Sequence, residues 1–117
     1  MTNVYDEEIK DITGPLYDLI LDDKAGFSAN DVYSLNKILE NYIDDLDSIE
    51  EGLNKEEYVI TYTNEAIVSI NELNKELAKF GFIMKEDQER LIKFFNDTVK
   101  DYGIVSDQDI TKEFRNW

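Results

Sequence analysis

The chain has 117 residues, 27 of them acidic and 12 basic, for a net charge of −15, with 42% apolar residues and no cysteine or histidine. That length fits a single domain, residues 1–117, with a real core, and the missing residue types exclude disulfides, ordinary zinc sites, Ser-His-Asp triads and imidazole acid-base catalysis. The charge speaks against direct binding to nucleic acid or to an anionic membrane and points to a cationic partner, or to simple solubility. Met1 to Asp11 is acidic where a signal peptide is basic, and no stretch approaches the roughly 18 uninterrupted apolar residues of a membrane span. A cytoplasmic location is expected.

In chain order, Val4, Tyr5, Ile9 and Ile12 recur at helical spacing until Gly14-Pro15 interrupts them. Proline suits a first helical turn, so the sequence predicts a kinked pair, the second piece carrying Leu16, Leu19 and Ile20. Asp22 to Phe27 follows as a turn hinged at Gly26. It superficially suggests a calcium loop but lacks the alternating oxygen ligands and the closing glutamate, so no metal is assigned there.

Ser28 and Asp31 stand at capping-box spacing ahead of Val32, Leu35, Leu39, Tyr42, Leu46 and Ile49, which step by three and four. This second helix should pack lengthwise on another and stop at Gly52. Asn54 and Glu57 repeat the capping spacing before Val59, Tyr62, Ala66, Ile70, Leu73, Leu77 and Phe80, with Gly81 as the stop. The β-branched and aromatic run Tyr58 to Thr63 also allows a short strand over 58–63, but the in-phase stripe favours helix. A helix over residues 55–80 would be about 39 Å long, so it is expected at the centre, covered on several sides. Lys85 to Tyr102 reads as an amphipathic helix stopped by Gly103. Ser106 and Asp109 should cap a final helix whose Ile110, Phe114 and Trp117 dock inward. The expected fold is an all-α bundle of five or six helices around the long one.

The acidity is unevenly spread. Residues 1–57 hold 16 acidic and 4 basic side chains, a net of −12, and much of the excess falls on the outer face and end of the second helix. Glu40, Asp44, Asp45, Asp47, Glu50 and Glu51 crowd the negative end of its macrodipole, where each exposed carboxylate costs a few tenths of a kcal/mol. Glu40 with Asp44, and Asp47 with Glu51, are also like charges one turn apart. A local rule broken in this way marks a candidate site, although a plain solvated face is the bland alternative.

Three functions compete for that surface. An inhibitory binding protein, of the immunity-protein or antitoxin type, would set the carboxylates against a basic toxin or nucleic-acid enzyme, with Tyr42 or Tyr58 among the tyrosines Tyr33, Tyr42, Tyr58 and Tyr62 as anchors. An adaptor would use an apolar face at Phe82, Ile83 and Met84 or at Phe114 and Trp117. An all-α magnesium-dependent nucleotide pyrophosphatase-like enzyme would need glutamate pairs, for which Asp44, Asp47, Glu50 and Glu51, or Glu86 with Glu89, supply weak imitations and no convincing second pair. The first is preferred. It implies a monomer with no catalytic residue, no cofactor and no metal, whose partner is a basic protein.

Overall fold

The computed structural model describes residues 4–52, 54–105 and 107–117, and of Val4 the backbone alone. It is all-helical, with four α-helices, α1 (Val4–Leu21), α2 (Ala29–Asp47), α3 (Lys55–Leu77) and α4 (Lys85–Asp101), and no strand among the described residues. Short connections turn the chain back each time, and the pairings α1/α2, α2/α3, α3/α4 and α4/α1 close a four-helix ring.

The first departure from expectation is at Gly14-Pro15, where α1 runs through as one helix. Pro15 forfeits one ladder bond, to Asp11 on the exposed side, while Ile12 and Leu16 on either side of the dipeptide are fully buried. Burying two large aliphatic side chains contributes about 1.5–3 kcal/mol each, enough to hold a helix across a missing bond. The helix ends where Asp23, not Gly26, takes the left-handed conformation at φ 57°, and Lys24 N–H reaches back to the Leu19 carbonyl at 2.8 Å. Gly26 serves a different purpose. A Cβ there would stand 3.0 Å from the backbone oxygen of Phe80, so glycine lets the first and third connections touch.

The α2 reading holds closely. Ser28 and Asp31 form the reciprocal capping box, and Val32, Leu35, Leu39, Tyr42, Ile43 and Leu46 are all buried. The helix stops at Ser48, ahead of Gly52. Residues 58–63 are helical, with Val59 and Thr63 inward, a period of four that a strand does not have. Asn54 precedes α3 without a side-chain capping bond, so the second predicted box is not formed. Nor is α3 enclosed: Tyr58 and Val68 face out, and the helix gives way to a single 3₁₀ turn, Ala78–Phe80, before Gly81 closes it at φ 82°. At the bundle centre Tyr42 packs on Phe95 and Phe94, with ring centroids 5.1 and 6.2 Å away, which ties α2 to α4 across the ring.

Four helices replace the predicted five or six because α1 is not split and the described part of the last segment is not helical. Ser106 lies outside the described residues, and residues 110–114 form turns after Gly103 has stopped α4 at φ 96°. The tail's polar groups are taken by side chains of the bundle. Asn96 of α4 accepts from Ile110 N–H at 2.9 Å and donates to the Asp109 carboxylate at 2.9 Å. Asn71 of α3 donates to the Phe114 carbonyl at 2.6 Å and accepts from Asn116 N–H at 3.2 Å. Asp109 also accepts from the Thr111 hydroxyl at 2.7 Å and pairs with Arg115 at 3.5 Å. Burial alone would push this carboxyl up, but the hydrogen bonds from Thr111 and Asn96, with Arg115 nearby, outweigh it and hold the pKa below the usual aspartate value. The tail docks, as expected, with Ile110 and Trp117 partly buried against the core, but Phe114 stays 41% exposed and the asparagines add the polar ties.

Candidate functional site: an acidic helix end beside an open groove

The eight residues singled out at the end of α2 and the start of α3 separate into three groups. Asp44, Asp45 and Glu50 are exposed, and none of them makes an ion pair among the described residues. Three others are engaged within the chain. Glu40 accepts from Asn36 at 2.6 Å and Lys37 at 3.4 Å, Glu51 pairs with Lys55 at 2.7 Å, and Asp47 accepts the Tyr102 hydroxyl. The last two residues are the tyrosines, and they part company.

Tyr58 is 52% exposed, as an anchor must be, whereas Tyr42 is only 2% exposed. The Thr63 hydroxyl lies 2.7 Å from Tyr42 and itself donates to the Val59 carbonyl at 2.7 Å, so the single proton between the two hydroxyls comes from Tyr42. Burial pushes the phenol pKa well up. Tyr42 therefore belongs to the core and cannot fill a partner's pocket. Its position in the α2 seam carried that information, since a residue in phase with Leu39 and Leu46 points inward.

Asp47 has a second role. Tyr102, which bonds it, stacks on Tyr5 at 6.4 Å, and Tyr5 donates in turn to Asp101 at 2.9 Å. This latch joins α1, α2 and the end of α4, and burial together with the neighbouring carboxylates raises both phenol pKa values.

The sequence reading missed the groove beside the acidic end. Glu50 and Tyr58 line one recess of about 240 Å³ with Ile49 and Tyr62. Asp45 and Tyr62 share the next recess along the α2/α3 wall with Asn41, Glu65 and Ser69. A third recess lies round α3 on the side of the docked tail, lined by Thr61, Asn64, Val68 and Phe114, with Glu65 and Ser69 as the ridge between it and the second. Tyr58, Tyr62, Glu65 and Ser69 step by four, three and four, so the stripe was visible, but only the pairing of α2 with α3 turns it into the wall of a trough.

The other proposed surfaces fare differently. Phe82 and Ile83 are buried, leaving Met84 alone of that trio exposed, and Phe114 is 41% exposed while Trp117 is half-buried. Among the described residues no three carboxylates converge so as to hold a metal ion, and no helix is long and apolar enough to cross a membrane. Against family models, curated proteins and solved structures alike, the chain has no match.

Proposed function

We propose that the protein is a non-catalytic binding protein that neutralises a basic protein, in the manner of an immunity protein or antitoxin acting on a toxin or nucleic-acid enzyme. The observation that carries this reading is the set Asp44, Asp45 and Glu50, exposed and without an ion-pair partner among the described residues, next to the exposed ring of Tyr58. No basic residue stands in the last turn of α2 to offset the macrodipole, so a partner's lysines or arginines would relieve a repulsion that the isolated chain must carry. Complementary charge accelerates encounter and fixes register, and Tyr58 supplies an anchor that the charges lack. On this reading the protein acts as a cytoplasmic monomer.

The test is affinity capture from the native cell at moderate salt, comparing the unaltered chain with the double reversal Asp44→Lys, Asp45→Lys. Asp47 is left alone because its bond to Tyr102 would confound the result. The expected outcome is one basic protein held at near-equal stoichiometry by the unaltered chain and lost by the variant. Retention by both would move the interface away from the α2 end, and capture of only scattered abundant basic proteins would reduce the cluster to solvated surface.

A further inference from the structure

We propose that the α2/α3 wall is a docking groove for a basic amphipathic helix presented by a protein partner. This rests on the reading above and extends it, from the acidic end of α2 to the whole length of the trough. Because Tyr62 borders both the first and the second recess, the two follow one another along the α2/α3 seam from Tyr58 to Ser69. From Tyr58 to Ser69 the α3 side spans about 16 Å, three turns of a docked helix. Ile49 and Tyr58 lie toward one end and Ile38 toward the other, with Tyr62 between them. Apolar anchors spaced along a groove in this way match the i, i+3, i+4, i+7 stripe of an amphipathic helix.

Charge selects the occupant. Asp45, Glu50 and Glu65 edge the channel, no lysine or arginine among the described residues lines either recess, and none of these carboxylates has an ion-pair partner among the described residues. A helix carrying lysines and arginines on both sides of its apolar stripe satisfies both walls at once. A second copy of this chain does not fit, because each copy brings a charge of −15 to the contact.

The experiment uses the full chain and two synthetic peptides of about 18 residues with one composition, rich in leucine, phenylalanine, lysine and arginine. One has its apolar residues on a single helical face; the other is a scramble with the same charge and no such face. Affinities come from fluorescence anisotropy of the labelled peptides, and the site from amide shifts of the isotope-labelled chain. The facial peptide should bind at least about tenfold more tightly than the scramble, with shifts at Asn41, Tyr62 and Ser69. Ser69→Arg, which fills the channel from an exposed helical position, should weaken it about tenfold, and Glu65→Gln, which keeps the shape, about threefold. Glu89→Lys, an exposed reversal on α4, should change it less than about twofold.

Equal affinity for both peptides would overturn the groove while leaving the charge reading intact. Shifts confined to α1 and α4, or equal losses in Ser69→Arg and Glu89→Lys, would also overturn it. If neither peptide binds, the groove falls, and capture of a basic protein from the cell decides separately whether the charge reading falls with it.

Discussion

The two long walls of this bundle treat the same excess of acid in opposite ways. The α1/α4 wall encloses a recess of about 260 Å³ lined by Glu8, Asp11 and Asp97, but Arg90 and Lys93 stand among them, Lys93 paired with Asp97 and Arg90 with Asp87. The recesses between α2 and α3 have carboxylates of similar number and, among the described residues, no lysine or arginine in their lining, Lys37 and Lys55 being paired with Glu40 and Glu51 outside it. Both walls belong to one chain with one net charge, so composition alone cannot explain the contrast. Solubility requires only that charge be present; it does not require cations to be absent from one groove and interleaved in the other.

The contrast breaks most sharply under charge reversal. Asp45→Lys with Glu65→Lys should slow association with a basic partner and weaken it about a hundredfold at low salt, two tenfold steps, whereas Glu8→Lys with Asp11→Lys should cost less than about twofold. Surface plasmon resonance at two salt concentrations reads both, and equal losses on the two walls would remove the distinction.

The next largest effect concerns the tail, tied to α3 and α4 by Asn71 and Asn96. Asp109→Asn should destabilise the protein by about 2 kcal/mol, since hydrogen bonds to a charged group contribute about 1.5–3 kcal/mol. The folded pKa of Asp109 lies below its ordinary value of 3.8, so its stabilisation is complete above that pH and is lost as pH falls through the folded value. Denaturant titrations should therefore show a constant gap between variant and unaltered chain from pH 7 down to about 5, closing below pH 3.8.

Tyr42→Phe probes the floor beneath the α2/α3 groove and should cost about 1 kcal/mol, because Thr63 keeps its bond to Val59 and only one hydrogen bond goes. Binding should be unaltered; a large loss of affinity would return Tyr42 to the interface.

Smallest is Glu8→Gln on the balanced wall. Burial, with Asp97 and Asp101 nearby, raises the Glu8 pKa despite Lys93, so its charged form is penalised at neutral pH and the glutamine variant should be more stable there by a few tenths of a kcal/mol. The sign follows from the raised folded pKa: the advantage is present at neutral pH and disappears as pH falls through the folded value toward 4.5. Thermal midpoints at pH 7 and pH 4 check it.

Periodicity carried the reading of α2 and α3, the capping box that of the α2 start, and glycine the stops at Gly81 and Gly103, because these signals are written within one turn of each residue. They failed where a distant partner decides. Asn71 and Asn96 tie down the tail's Ile110 and Asn116 N–H groups and Phe114 carbonyl across the fold, and nothing near residues 109–116 announces them. Pro15 stays helical because α1 is held along its length by Ile12 and Leu16. At the site the acidic end was legible as a run of carboxylates, while the groove was not, since Asp45 and Glu65 become neighbours only when α2 and α3 pair. Tyr42 was assigned to both the seam and the interface, and the seam, the periodic signal, decides it.

Trp117 is the one tryptophan in the chain, and it sits half-buried in the tail with the Arg115 guanidinium 5.3 Å from its ring. Intrinsic tryptophan emission thus views the molecule from a single vantage point, the clasp formed by Asn71, Asn96 and Asp109, and is blind to the aromatic centre around Tyr42. Far-ultraviolet dichroism, in contrast, is dominated by the four helices. Melting curves recorded by the two methods are therefore independent witnesses: superimposed, they make clasp and bundle one cooperative unit, and separated, they give the free energy at which the clasp lets go by itself.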